Sequence, residues 1–143
     1  MEKRKKICVV DGQGGGIGSA IIKKVKDTLG ESVEIIALGT NAIATAQMLK
    51  AKANRGASGE NAIVQTVKQA DIVVGSLAIV LAHAMMGEVT PKMAAAIASS
   101  PAPKLLLPLT QENVAVIGVS GGPLPHLVEA LVDEHLKPLL KEA

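Results

Sequence analysis

The sequence predicts one α/β domain over residues 1–143, with a mostly parallel sheet and helices on both of its faces. Three observations carry this. Strand-like and helix-like segments alternate along the chain. The first strand-like run, residues 7–10, is continuously apolar, as a strand buried on two faces is. Between that run and the first helix-like segment stand glycines at 12, 14, 15, 16 and 18, at a turn where backbone must come close to something.

The elements follow in order. After the strand at 7–10, apolar residues recur at Ile17, Ala20, Ile21, Val25 and Leu29, with lysines on the other face and Gly30 as a stop. That spacing predicts the first helix. Residues 33–38, VEIIAL, read as the second strand, and residues 41–52 as a helix capped by Thr40 or Asn41. The polar stretch ANRGASGEN, 53–61, reads as a loop, followed by a short helix over 60–69 and a third strand at 71–75. Residues 77–86 have the composition of a buried helix. Thr90-Pro91 opens another, with threonine as cap and proline at the first helical position. Residues 104–109 and 114–119 read as strands joined by TQEN, a link that permits a hairpin but no parallel crossover. The last strand is therefore expected antiparallel, at an edge, and the strand order 2-1-3-4-5. An amphipathic helix over 123–140 closes the chain, with Pro138 ending or bending its tail.

Composition narrows the function classes. Apolar residues at 48% and charged residues at 20% belong to an ordinary globular domain. A net charge of +2 and the complete absence of Phe, Tyr and Trp argue against nucleic-acid binding, which wants a basic stripe and rings for bases to stack on. The basic cluster Lys3, Arg4, Lys5 and Lys6 reads as a solvated lead-in to the first strand. The lone Cys8 sits inside that strand as a small buried apolar residue. The basic start is followed by only four apolar residues before Asp11, too few for a signal peptide, and the apolar stretch 72–86 is too short to span a bilayer. A cytoplasmic protein without a membrane partner is the expectation. The three histidines lack ligand spacing, so no metal is expected.

A strand, then glycines, then a helix start is the geometry that receives phosphate, since bare backbone, first-turn amides and the helix dipole all favour an anion. The spacing G-x-G-x-x-G is met at Gly12 and Gly14 and fails at Ile17, whereas G-x-x-x-G-I-G is met by Gly12, Gly16, Ile17 and Gly18. The second pattern resembles the cofactor loop of short-chain dehydrogenases/reductases. That resemblance covers only the first strand, loop and helix. The catalytic Tyr-x-x-x-Lys it would imply is ruled out, because the chain has no tyrosine. Asp11 stands where that family has threonine. A carboxylate there either holds the loop shut through its amides or moves the ligand further along the helix. The loop also lacks the G-K-[ST] ending of a triphosphate-hydrolysing P-loop.

The segments DGQGGGIG, IIALGTNAIAT, ANRGASGENAI, GEVTPKMA and PLPHL together resemble, nearly end to end, a domain-of-unknown-function family of short bacterial proteins. The resemblance implies a Rossmann-like fold and brings no activity with it.

Candidate site residues are therefore Gly12, Gln13, Gly14, Gly15, Gly16, Ile17 and Gly18 of the loop, with Thr40, Asn41, Arg55, Gly75 and Ser76. Thr40 and Asn41 end the second strand, where an acid would meet the ribose of NAD; its absence tilts the expectation toward NADP. Both residues serve equally well as helix caps. Arg55 suits a phosphate or carboxylate. Gly75 and Ser76 end the third strand, opposite the loop across the topological switch point. Glu60 and Asn61 are polar neighbours of Arg55. His83 is expected buried and hydrogen-bonded, and Glu88 is either a site acid or a solvated turn residue. The leading expectation is a small binding protein for a phosphate-bearing ligand, NADP or NAD, acting as sensor or accessory subunit. The alternatives are a small oxidoreductase whose general acid is His83, Glu88 or His126, and a structural subunit whose glycine turn serves packing only. A homo-oligomer is expected, with the stretch AIVLAHAMM as a source of interface.

Overall fold

The computed structural model describes residues 3–119 and 121–141. Strand β1, Lys5–Asp11, lies at the centre of a five-stranded sheet, and its residues from Ile7 onward are buried. Helix α1, Gly16–Leu29, leads through a short 3-10 turn into β2, Val33–Gly39. Helix α2, Ala42–Lys50, is followed by β3, Arg55–Ser58, and α3, Glu60–Thr66. Then come β4, Ile72–Ser76, α4, Pro91–Ser99, and β5, Lys104–Leu107. The last helical stretch begins as α5, Leu124–Ala130, widens to a π-helical segment over Leu131–Leu136 and ends as α6, Lys137–Lys141.

The strand order is β3-β2-β1-β4-β5, and every pairing is parallel. Alternate residues of β1 face opposite layers, as the pleat requires. Ile7 and Val9 join a core with Ile21, Ile22 and Val25 of α1 and the closing helix. Cys8 and Val10 join the other, with Ile63, Met93 and Ile97 of α3 and α4. The result is a Rossmann-like three-layer α/β sandwich. Cys8 is fully buried, and burial pushes its thiol up to about 12. No helix among the described residues is long and apolar enough to cross a membrane.

Several expectations are corrected. Residues 114–119 form no strand: they run irregularly, with a turn at Ile117-Gly118, so the antiparallel edge strand is absent among the described residues. An apolar run supplies strand propensity but no partner, and Val114, Val116, Ile117 and Val119 remain exposed. The fifth strand lies at the opposite edge, where Arg55, Gly56, Ala57 and Ser58 pair with Ile36 to Gly39 in a stretch read as a loop. An exposed edge strand can be polar, so it carries no apolar signal. The order is thus 3-2-1-4-5 rather than 2-1-3-4-5, although four of the strands stand in the neighbour relations expected.

Residues 77–86 are not a helix either. A 3-10 turn, Leu77–Val80, gives way to a loop in which His83, Met85 and Met86 have left-handed backbone. Apolar composition alone does not separate a buried helix from a buried loop. Pro138 does not stop the last helix. Proline cannot donate to the carbonyl one turn earlier, and the wider π-helical turn directly before it absorbs that mismatch. The caps follow the sequence closely. Asn41 accepts from the Ala44 amide at 2.8 Å, and Thr90 from the Met93 amide at 3.1 Å, ahead of Pro91.

Candidate functional site

At the carboxyl end of β1 the chain turns through residues 12–15 into α1. The Gly15 amide donates to the Gly12 carbonyl at 2.9 Å, and Gly15 itself is left-handed, with φ 75°. The buried Asp11 carboxylate closes this turn from inside: its Oδ1 accepts from the Gly12 amide at 2.8 Å and its Oδ2 from the Gly18 amide at 2.7 Å. Burial pushes the Asp11 carboxyl above the usual range, and the amides of Gly18 and Gly12 offset this only in part, with the Glu88 charge adding to the rise. Asp11 therefore holds the loop shut, the first of the two roles open to it. It also takes up amides that a ligand's phosphate would otherwise receive.

The loop glycines then divide. A Cβ on Gly12 would stand 2.6 Å from the Met85 sulfur, and one on Gly18 2.5 Å from the Met48 sulfur and 3.0 Å from Asp11 Cβ. A Cβ on Gly15 would stand 2.8 Å from the Ala44 carbonyl oxygen. Packing accounts for these three. Gly14 and Gly16 are exposed, have no positive φ, and would place a Cβ in open space. Their amides have no acceptor among the described residues. Neither packing nor backbone conformation calls for glycine there.

On the β2 side a polar cluster has formed around Glu88. Its Oε1 accepts from Thr40 Oγ1 at 2.6 Å, from the Gln13 amide at 2.8 Å and from Asn41 Nδ2 at 2.8 Å. Asn41 also donates to the Gln13 carbonyl at 3.1 Å while its Oδ1 caps α2, so the cap and site roles coincide in one side chain. Burial pushes the Glu88 carboxyl up, but the Thr40, Gln13 and Asn41 donors outweigh it and hold the group below the usual carboxylate range. Glu88 is carried by the loop that holds His83, Met85, Met86 and Gly87 left-handed. That loop is tied at both ends, by His83 N–H to the Val89 carbonyl at 2.6 Å and by Thr90 Oγ1 to Glu60 at 2.6 Å.

On the β4 side lies an open cleft of about 480 Å³, walled by Asp11, Gln13 and Ile17 of the loop region, Ser76, and Leu109 to Glu112 after β5. It occupies the topological switch point, where β1 is flanked on one side by β2 and on the other by β4, to which the chain returns after β3. Gly75 lets β4 approach β1, since a Cβ there would stand 2.7 Å from the Val10 carbonyl oxygen; Ser76 is buried at the cleft. Among the described residues no lysine, arginine or histidine lines it. Its walls combine apolar Ile17, Ala78, Met85 and Leu109 with polar Gln13, Ser76, Thr110 and Gln111 and the acids Asp11 and Glu112.

The structure thus brings together Gly12 to Gly18, Thr40, Asn41, Gly75 and Ser76. It does not bring Arg55 among them: Arg55 begins the edge strand and pairs with Glu34 at 3.1 Å. Asn61, His83 and His126 are exposed, which corrects the expectation of a buried His83. Glu60 is spent on Thr90. Sequence reasoning missed the walls contributed by Met85 and by Thr110, Gln111 and Glu112, which carry no motif. No group of three His, Cys, Asp or Glu among the described residues is placed to hold a metal.

Comparison with known proteins agrees with the end-to-end resemblance. A family model described as a domain of unknown function (DUF3842) matches residues 6–140, and the chain belongs to that family. No curated protein matches the chain.

Proposed function

We propose that this DUF3842 protein is a cytoplasmic binding module for a phosphate-bearing nucleotide, NAD or NADP, and acts as a sensor or accessory subunit. The observation that carries the reading is the pair Gly14 and Gly16. Both are chain neighbours of cleft-wall residues, Gln13 and Ile17, with amides that have no acceptor among the described residues and open space where a side chain would be. Gly16 stands in the first turn of α1 without positive φ, where glycine costs stability relative to alanine. Close approach of a ligand to bare backbone gives it a purpose. In this reading the phosphates rest on the exposed amides of Gly14 and Gly16 at the α1 N-terminus, outside the cation-free cleft. The cleft takes the uncharged end of the ligand.

An oxidoreductase gains less support, because none of the expected general acids, His83, Glu88 or His126, lines the cleft. A homo-oligomer remains part of the proposal. The exposed apolar residues Val114, Val116, Ile117 and Val119 are where its contact is to be sought, by light scattering on wild type and on Ile117→Ser.

The test is a dye-based thermal shift with NAD, NADH, NADP, NADPH, FMN, FAD, ATP and S-adenosylmethionine. A ligand at about one hundred times its Kd adds roughly 2.7 kcal/mol, a shift of several degrees at this size. A shift with a nicotinamide nucleotide that Gly16→Ala abolishes supports the reading. No shift with any member of the panel sinks it.

A further inference from the structure

We infer that Glu88 selects the sugar of the bound nucleotide, favouring a ribose with free 2′- and 3′-hydroxyls over one carrying a 2′-phosphate. The inference rests on the nucleotide reading above and adds its ligand class. In the 3-2-1-4-5 order the acid that accepts the ribose hydroxyls stands at the end of β2. Here β2 ends at Gly39 and is followed by Thr40-Asn41, with no acid among these three residues. The fold supplies one from elsewhere. Glu88, 48 residues beyond Thr40, has its Oε1 fixed by Thr40, Asn41 and the Gln13 amide, so a carboxylate stands at that strand end after all.

Three features give the placement a recognition role. One oxygen, Oε1, takes all three hydrogen bonds, while Oε2 has no partner among the described residues and remains free to accept from a hydroxyl pair. Thr40, Asn41 and Gln13 keep the group charged, which makes it a strong acceptor for hydroxyls and repels a phosphate. The arginine that could have offset a 2′-phosphate, Arg55, is paired with Glu34 instead. The sequence-based tilt toward NADP rested on the missing acid, and the geometry reverses it.

The experiment is a fluorescence titration of NADH and NADPH into wild type, Glu88→Gln and Glu88→Asp, with circular dichroism melts as a check of folding. The nucleotide signal is clean, because the chain has no tryptophan or tyrosine. Wild type is expected to bind NADH at least about tenfold more tightly than NADPH. Glu88→Gln should bring the two toward parity by weakening NADH and strengthening NADPH, and Glu88→Asp should fall between. Equal or tighter binding of NADPH by wild type overturns the inference and leaves the nucleotide reading standing, with no need of a variant. Tighter binding of both nucleotides by Glu88→Gln also overturns it, and makes Glu88 a plug that a ligand displaces. If neither nucleotide binds wild type, both readings fall together.

Discussion

Gly15 and Gly16 are neighbours in the chain, yet a methyl group added to Gly15 would stand 2.8 Å from the Ala44 carbonyl oxygen, whereas one added to Gly16 would meet nothing within 4 Å. The whole loop divides along this line. Gly12, Gly15 and Gly18 face the protein, where Met85, Ala44, Met48 and Asp11 press against them. Gly14 and Gly16 face away, with unused amides. The inward set is explained by the fold alone. The outward set has no explanation among the described residues, and that asymmetry, more than the count of glycines, is what the proposed ligand would account for.

Substitutions can break or sharpen this division. The largest effect is expected at Gly15→Ala, which combines a left-handed backbone with a backbone clash. Strain and overpacking together should cost about 3 kcal/mol, roughly 10 °C in a thermal melt. An unchanged melt would mean that the inward face is not under constraint. Asp11→Asn comes next. It removes a carboxylate oxygen from the Gly12 or Gly18 amide and leaves a buried group unpaired, an expected loss of about 2 kcal/mol in urea unfolding.

Glu88→Gln should cost about 1 kcal/mol at neutral pH, the difference between charge-assisted and neutral hydrogen bonds. Because the folded carboxyl lies below its unfolded value of 4.5, its contribution is full above that pH and is lost as pH falls through the folded value. The gap between wild type and variant in melts taken from pH 7 to pH 3 should therefore close on the acid side. A gap that widens there would contradict the role of the three donors to Glu88 in keeping it charged. The smallest effect belongs to Gly16→Ala, with a melt within about 1 kcal/mol of wild type and on the stabilised side, as helix propensity alone requires. Marked destabilisation would move Gly16 to the inward face.

Local chemistry made much of the fold legible. The buried run at Ile7, Cys8, Val9 and Val10, the 3.6-residue spacing of α1 and the Thr90-Pro91 cap each signal within a few residues. What could not be read depends on distant partners. Arg55 to Ser58 are strand because β2 offers them an edge, and Val114 to Val119 are not strand because nothing pairs with them. The site shows the same split. The loop, Thr40, Asn41 and Ser76 were visible as motif and strand ends. Glu88 reaches the end of β2 only through a loop whose left-handed residues, His83, Met85 and Met86, have no sequence signature. Reading β2 by itself therefore left out the carboxylate on which the proposed ribose preference rests.

The most direct test of the outward face is a calorimetric titration of NADH into wild type and Gly16→Ala, both first shown to melt alike. The expected result is saturable binding to wild type and at least about tenfold weaker binding to the variant, a loss of ligand without loss of fold. Equal affinity in the two proteins, or no binding to wild type, would contradict the account and leave Gly14 and Gly16 as an ordinary exposed turn.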